Sequence, residues 1–351
     1  PIVMLRHQPL SQRRHGLTLV ELLMVLSIIT LLFAVAVPLM RPAFEDRNLR
    51  EATRQINAII AGARARAAQS GRPAGIWLER VDISAIGART CLQVFQAEVA
   101  PNYVGATTGS LAWVDTSLPG SPKLILPAAD AQILRTIVQP GETFSIKIDH
   151  KGLIYNCARP LVPTDLTFDI GLPPVGGPPG AMSAPGKPYE IKRGPTRSIV
   201  TPLALPGDTV VDLSVSGAGT DGRQFDPYNG SLAPIVPTDA PVIITFNPAG
   251  GLDYVFVGNT SFRPFGPIHL LIGRRQNVVD PLDATINWAD QTVPKNLTDP
   301  SCMWLTINHR TGSVTTTENT DTVSLPAATL LPLRIKAARE FARNAIRKGG
   351  R

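Results

Sequence analysis

One carboxylate stands out because the sequence surrounds it with apolar residues. Glu21 follows a basic run that ends at Gly16, and no residue from Leu22 to Val37 carries a charge. An ionised carboxylate in lipid costs several kcal/mol unless it finds a partner. Two interpretations are open: Glu21 reaches the polar edge of a membrane, or it pairs with a cation from another subunit. In either case its chemistry is charge pairing, not catalysis.

A helix is the element that must position Glu21. The 24 residues from Leu17 to Met40 are nearly all apolar, and Ser27 and Thr30 are the hydroxyl residues between Leu22 and Val37. At 1.5 Å per residue, a helix of this length extends about 36 Å, which exceeds a hydrocarbon core of about 30 Å. Apolar residues cover every face instead of one stripe, so the pattern predicts a bilayer-spanning helix instead of a buried core helix.

The residues around Gly16 resemble the prepilin signal of type IV pilins and type II secretion pseudopilins. The resemblance rests on Gly16 followed by Leu17-Thr18-Leu19-Val20-Glu21, and it covers about the first forty residues. It implies that a prepilin peptidase cleaves after Gly16 on the cytoplasmic side and methylates the new N-terminus, Leu17. Leu17 departs from the phenylalanine usual at that position. Pro38 fits the helix-bending proline that family members often carry.

Cleavage would give Glu21 a partner. The α-amino group of Leu17 would lie about one helical turn from a Glu21 carboxylate. Pairing of Glu21 with the amine of a neighbouring subunit would neutralise both charges and set an axial stagger between subunits. The predicted site residues are therefore Gly16 and Leu17 for processing, Leu17 for methylation, Glu21 for assembly and Pro38 for a helix kink.

The net charge of +7 and the isoelectric point of 9.6 come from the two ends of the chain. Residues 1–16 hold three arginines and no acidic residue, and residues 334–351 hold seven Lys or Arg residues against one acid. The remainder is slightly acidic, so the basic isoelectric point does not indicate nucleic-acid binding, and none is expected. The positive-inside rule keeps the leader cytoplasmic and exports the chain after Met40.

The rest of the sequence begins with a second helical pattern. Between Glu45 and Gln69 one face repeats at spacings of three and four, and Ser70-Gly71-Arg72-Pro73 ends it. That face consists of Leu49, Thr53, Ile56, Ile60 and Ala63. The Ala/Arg-rich segment that leads into Gly75-Ile76-Trp77-Leu78 resembles the corresponding segment of the GspH/FimT group of minor pseudopilins.

From Ala74 onward the sequence predicts β-strands. Gly75–Leu78 and Thr90–Phe95 are short apolar or alternating runs. A recurring unit places Asp or Asn, a few turn residues and Gly between two alternating runs, and it predicts three β-hairpins. Their turns are Asp149–Gly152, Asn247–Gly250 and Asn308–Gly312. The last unit resembles the closing hairpin of GspH/FimT-like domains.

Prolines concentrate in one segment. Fifteen of the 33 prolines lie between Cys157 and Pro241, which predicts a long insertion of loops and edge strands at about residues 158–241. Disorder throughout this segment is an alternative, although Thr209–Val215 has the pattern of a strand.

The C-terminal segment carries an amphipathic helical stripe opposite its basic residues. It predicts a helix that packs on its own domain with the basic face outward, while a partner, an anionic membrane or a disordered tail are alternatives. The stripe comprises Leu331, Ile335, Ala338, Phe341, Ala342, Ala345 and Ile346.

Several patterns that resemble chemistry lack the context it needs. Gly217–Gly222 matches a dinucleotide fingerprint, but Pro227 follows where a helix should begin. Asp221, Asp226 and Asn229 lack the spacing of a calcium loop, and no hydrolase motif occurs. We therefore expect no enzyme activity, no cofactor and no metal. The three cysteines allow at most one disulfide within the chain: Cys91, Cys157 and Cys302.

The predicted fold class is α+β, with a long N-terminal membrane-spanning helix packed on an antiparallel β-rich domain and a C-terminal amphipathic helix. The predicted organisation is a leader (1–16), a transmembrane assembly helix (17–40), its exported continuation (41–70), a β-rich pilin-like domain (71–325) that contains the Pro/Gly-rich insertion, and a basic helical end (326–351).

The resemblance implies a minor pilin or pseudopilin of a type IV pilus or type II secretion pseudopilus. Its expected partners are prepilin peptidase, other pilin subunits and inner-membrane lipid. The expected location is the bacterial inner membrane, with a single pass, a cytoplasmic N-terminus and an exported globular domain, and then the filament. A membrane-anchored binding or adhesion protein is the first alternative, and an anchored enzyme is the weakest.

Overall fold

The computed structural model describes residues 18–115, 123–138, 143–149, 154–159, 167–171, 186–199, 202–231, 233–258, 260–283, 285–290, 292–322, 325–326 and 330–349, without the side chains at 35–43, 143 and 345–349. The chain divides into two compact units, Pro1–Arg47 and Asn48–Arg351. The described helices are α1 (Leu19–Ser70), α2 (Ala128–Ile137) and α3 (Leu331–Gly349).

The described strand pairs are all antiparallel and form two sheets. The strands are β1 (Ala74–Arg80), β2 (Thr90–Val99), β3 (Trp113–Asp115), β4 (Lys123–Ile125), β5 (Thr143–Ile148), β6 (Ile154–Ala158), β7 (Thr167–Gly171), β8 (Tyr189–Lys192), β9 (Pro195–Arg197), β10 (Leu203–Ala204), β11 (Thr209–Ala218), β12 (Val242–Phe246), β13 (Leu252–Val257), β14 (Thr260–Phe262), β15 (Ile268–Arg274), β16 (Met303–Ile307) and β17 (Val314–Glu318). The large sheet has the order β14-β13-β12-β1-β2-β11-β15-β16-β17, with β9 and β10 also paired to β2.

The C-terminal part of α1 packs on this large sheet through the predicted stripe. Leu49, Ile56 and Ile60 are fully buried and share one core with inward-facing residues of the sheet. Burying each large side chain of this kind contributes roughly 1.5–3 kcal/mol. The helix ends at Ser70, and Gly71 adopts a φ of +64°, which is the left-handed conformation expected of a glycine terminator. The prediction for this segment is confirmed.

The three predicted hairpins are also confirmed. β5 pairs with β6, β12 with β13, and β16 with β17. Their turns use positive φ at Asp149, Gly250 and Gly312, as two-strand connections of this kind require. The last two turns lie against each other: a Cβ added at Gly312 would clash with the carbonyl oxygen of Gly250.

The second sheet is an excursion from the first. The chain leaves the large sheet at the end of β2, forms the order β3-β4-β7-β6-β5-β8, and returns at β9. This sheet and α2 enclose a hydrophobic core of their own. Residues 113–192 of this sheet therefore overlap the predicted insertion of about 158–241 only in part. β11, which lies in the same predicted segment, is a buried central strand between β2 and β15 instead of an edge strand.

α3 packs on the sheet face opposite α1, where Ile335, Ala338 and Ala342 join Trp304 in a third cluster. The predicted orientation of this helix is wrong in two respects: Phe341 is 47% exposed, and Arg334 and Arg339 are buried. The small alanines bring the helix close to the sheet, and the guanidinium groups beside them reach carbonyl oxygens.

Arg339 attaches α3 to residues that are distant in sequence, and Arg334 attaches it to the segment just before the helix. Arg339 donates to the carbonyl oxygens of Val215 at 2.8 Å and of Gly219 and Gly222 at 3.0 Å. Arg334 donates to Thr322 O at 2.6 Å and to two further carbonyl oxygens. The glycine-rich turn that matches a nucleotide fingerprint thus serves as the acceptor of a buried arginine.

Candidate assembly site at the start of the first helix

The first turn of α1 is organised by Thr18. The Thr18 hydroxyl accepts a hydrogen bond from the backbone N–H of Glu21 at 3.2 Å, and the Thr18 carbonyl accepts from Leu22 N–H at 3.1 Å. Thr18 is therefore the N-cap, and Glu21 occupies the third helical position, which gives one of the two hydrogen bonds of a capping box. Sequence analysis overlooked this role, although Thr-x-x-Glu before an apolar run is its recognised signal.

Glu21 lies where a helix favours negative charge. The side chain is exposed in the first turn of α1, and its carboxylate has no hydrogen-bond or ion-pair partner among the described residues. The N-terminal end of a helix carries partial positive charge, so a carboxylate there is stabilising. Glu21 thus has a local role in starting the helix, and its carboxylate stays accessible to a cation.

The helix that follows presents apolar side chains in all directions. In the single chain, the large apolar side chains between residues 19 and 33 are 45–78% exposed. They are Leu19, Val20, Leu22, Leu23, Met24, Val25, Leu26, Ile28, Ile29, Leu31, Leu32 and Phe33. A contiguous apolar surface of this size marks an interaction with protein or membrane.

The two hydroxyl groups of this segment are satisfied within the helix. Ser27 donates to the carbonyl oxygen of Met24, and Thr30 donates to that of Leu26, both at 2.8 Å. Side chains that bond back to their own helix leave no unmet donor on its surface. The segment after Glu21 therefore suits apolar surroundings on every side.

Two of the predicted site residues, Gly16 and Leu17, lie outside the described residues. Pro38 lies within α1, whose backbone is helical across that position, but its side chain is outside the description. The kink at Pro38 therefore stays a prediction. Among the described residues, none of the helices combines the length and the hydropathy that a bilayer crossing requires.

The other end of α1 is fixed to the sheet by Arg64 as well as by its apolar stripe. Arg64 donates from Nη2 to the carbonyl oxygen of Thr311 at 3.0 Å and from Nε to that of Gly250 at 3.3 Å. Arg66 pairs with Glu98 at 2.8 Å near the surface. The two touching hairpin turns are thus held directly beneath the helix.

Asp226, one of the residues considered for metal binding, has structural partners. Asp226 is buried and accepts from Arg89 at 2.9 Å, with Arg223 at 3.8 Å. Among the described residues, no group of three or more His, Cys, Asp or Glu residues is arranged to hold a metal ion.

The cysteines are buried and unpaired. Cys91, Cys157 and Cys302 form no disulfide. Burial raises the pKa of the Cys91 thiol to about 12 and also raises that of Cys157 and Cys302. The thiolate is the nucleophilic form of cysteine, so these residues belong to the core and are poor candidates for redox chemistry.

Comparison with protein families places one known element on this chain. Residues 11–37 match the prokaryotic N-terminal methylation motif, which is of the prepilin type. Comparison with curated proteins and with solved structures finds no significant match. The motif supports the pilin and pseudopilin class, and it implies processing by prepilin peptidase and assembly with other pilin subunits.

Proposed function

We propose that this chain is a minor pilin or pseudopilin, because a prepilin-type methylation motif marks a substrate of prepilin peptidase. In this proposal the chain is cleaved after Gly16, methylated at Leu17 and held in the inner membrane through residues 17–40. It then enters a type II secretion pseudopilus or type IV pilus. The observation that supports it most is the capped helix from Thr18 onward, whose apolar residues up to Phe33 are exposed on every side.

The first turn of α1 gives a reason why Glu21 would set the axial position of one subunit against the next. Cleavage would create a cation at Leu17, directly before the N-cap Thr18. A positive group at this end opposes the helix dipole, and Glu21 in the same turn offsets it. In a bundle of such helices, the carboxylate of one subunit would pair with the amine of the next, because either charge left alone in lipid is strongly unfavourable.

The minor role is supported by the shape of the exported unit. The second sheet, residues 113–192, has its own core and enlarges the body beyond a single sheet and helix. A subunit repeated along a filament must pack against many copies, so an additional lobe suits a subunit present in few copies. The GspH/FimT-like assignment rests on this argument together with the sequence resemblance. The proposal includes no catalytic step.

The experiment that tests the proposal replaces Glu21 by Gln, which keeps the shape of the side chain and removes its charge. We expect E21Q to insert into membranes normally and to lose incorporation into filaments. Glu45→Gln, on the same helix outside the first turn, is the matched control and should assemble. Mass spectrometry should show methylated Leu17 as the N-terminus. Normal assembly of E21Q, or intact residues before Gly16 in the filament, would overturn the proposal.

A second candidate is a membrane-anchored binding or adhesion protein that uses the prepilin export route. The observation that favours it is again the second sheet, because a separately cored lobe provides a surface that a filament subunit does not need. If E21Q retained binding activity at the cell surface while no filament formed, this candidate would be preferred.

A further inference from the structure

A cavity of about 460 Å³ lies between β15, the β16–β17 hairpin and α3. Its volume falls within the range of about 300–1,000 Å³ that small-ligand sites occupy. It lies on the sheet face that carries α3. The polar residues that line it are His269, Thr306, Asn308, Ser313, Thr315 and Arg343.

The described lining provides a few hydrogen-bond donors and one full charge. Three hydroxyl groups, one amide and one imidazole surround the cavity, and among the described residues Arg343 is the one charged lining side chain. The Thr315 hydroxyl donates to Thr306 O and the Thr306 hydroxyl bonds to His269 Nδ1, which leaves Ser313 and Asn308 with donors to offer. No carboxylate of the described residues lines the cavity, so a cationic ligand would have no counter-ion. Guanidinium binds carboxylate in a planar, bidentate geometry. The charge balance therefore selects an anionic ligand.

His269 is an unusual member of this lining. It is only 3% exposed, its Nδ1 lies 3.0 Å from the Thr306 hydroxyl, and its Nε2 has no hydrogen-bond partner among the described residues. Burial, Arg339 and Arg343 together lower the pKa of His269 to about 3. The imidazole is therefore neutral at physiological pH. When Thr306 donates to Nδ1, the ring carries its hydrogen on Nε2 and has a donor to offer.

We propose that this cavity binds a small ligand through a carboxylate group, with Arg343 pairing with the carboxylate and His269, Ser313 and Asn308 completing its hydrogen bonds. A phosphate group is the poorer match, because it carries more charge than the Arg343 guanidinium neutralises and the described lining contains no helix N-terminus or glycine-rich turn. The carboxylate belongs either to a free organic acid or to the C-terminus of a peptide. The inference is independent of the filament role.

The test uses the full processed chain in detergent micelles, with histidine labelled by ¹⁵N in the ring. Succinate, N-acetylglycine and inorganic phosphate are titrated separately at constant ionic strength. The His269 signal is recognised because it does not titrate between about pH 5 and 8, whereas an ordinary histidine does. We expect a saturable shift of this signal with a carboxylate. Tighter binding of N-acetylglycine indicates a peptide C-terminus, and tighter binding of succinate indicates a free acid.

Variants separate the site from general effects. Arg343→Gln should weaken carboxylate binding at least about tenfold, because it removes a charge-assisted contact. Lys336→Gln is the matched control, since it removes a cation from an exposed position of the same helix outside the cavity. Ser313→Ala removes a lining hydroxyl and should weaken binding less. Absence of a saturable shift, an unchanged affinity in R343Q, or preferred binding of phosphate would overturn the proposal.

Discussion

The two ends of helix α1 differ in how their apolar side chains are distributed and buried. Between residues 19 and 33 large apolar side chains point in every direction and remain exposed, whereas from Leu49 onward they form one buried stripe with charged residues beside it. An apolar surface all round requires apolar surroundings, and a stripe requires one partner face. The first segment therefore suits apolar surroundings, and the second packs on the sheet of its own chain.

The largest expected difference comes from shortening one isoleucine in each segment. Ile56→Ala removes a fully buried side chain and should lower the free energy of unfolding by about 2–5 kcal/mol, because it leaves a cavity. Ile29→Ala, at a position 45% exposed, should leave unfolding of the globular unit unchanged. Denaturant titration followed by tryptophan fluorescence measures both. Equal destabilisation by the two variants would contradict the comparison.

The stability of the sheet should fall in acid, and the exposed start of α1 should not contribute to this fall. His269 has its pKa lowered to about 3 in the folded state from an ordinary value near 6.5. Its stabilising contribution is present above pH 6.5 and is lost as the pH falls toward 3, because the unfolded chain binds the proton first. The expected loss is on the order of a few kcal/mol.

Asp212 acts in the opposite direction within the same sheet. Burial raises its pKa to about 6, so its contribution favours the folded state below about pH 4 and is lost as the pH rises through 6. Unfolding measured at several pH values in wild type and in His269→Gln separates the two groups. His309→Gln is the control, and a loss of stability in acid that persists unchanged in H269Q would contradict the assignment to His269.

A smaller effect should appear where Arg64 attaches α1 to the hairpin turns. Gly312→Ala should cost about 1–3 kcal/mol, because its φ of +62° strains an alanine and the new Cβ would clash with Gly250 O. Gly71→Ala is the matched control: its φ is +64°, but nothing lies within 4 Å of an added Cβ. It should cost about 1 kcal/mol from backbone strain alone. Thermal unfolding of both variants measures the difference.

The smallest effect concerns the cap. Thr18→Ala should remove the acceptor for Glu21 N–H and cost about 1 kcal/mol in the first turn. Hydrogen exchange at residues 19–22 should accelerate, while the unfolding midpoint of the globular unit should not move. Thr18→Ser keeps the hydroxyl and should behave as wild type. Protection of these amides that is unaltered in T18A would show that the cap does not hold the turn.

Local patterns predicted the elements that depend on neighbouring residues. The stripe from Leu49 to Ala63 follows from helical spacing, and the turn at Asn308–Gly312 follows from the need for positive φ. The N-cap at Thr18 was equally local and could have been found. The prediction that Gly16 and Leu17 are the processing residues rests on the motif around them, and it stays a prediction.

Long-range contacts account for what the sequence did not reveal. Arg339 is buried because it reaches Val215 O, which is 124 residues away, and no spacing within α3 indicates that acceptor. The burial of β11 likewise depends on its pairing with both β2 and β15, which lie on either side of it. A helical stripe shows which face is apolar, but it does not show which charged neighbours find carbonyl oxygens.

The position of the second sheet has a consequence for how such a chain changes during evolution. The excursion begins after Val99 and ends at Pro195, and these two residues face each other as partners on adjacent strands. The segment between them can be lengthened, exchanged or removed while the flanking strands stay paired, because its two ends meet at one point. The lobe is thus modular: its surface can change while the large sheet that carries it stays the same.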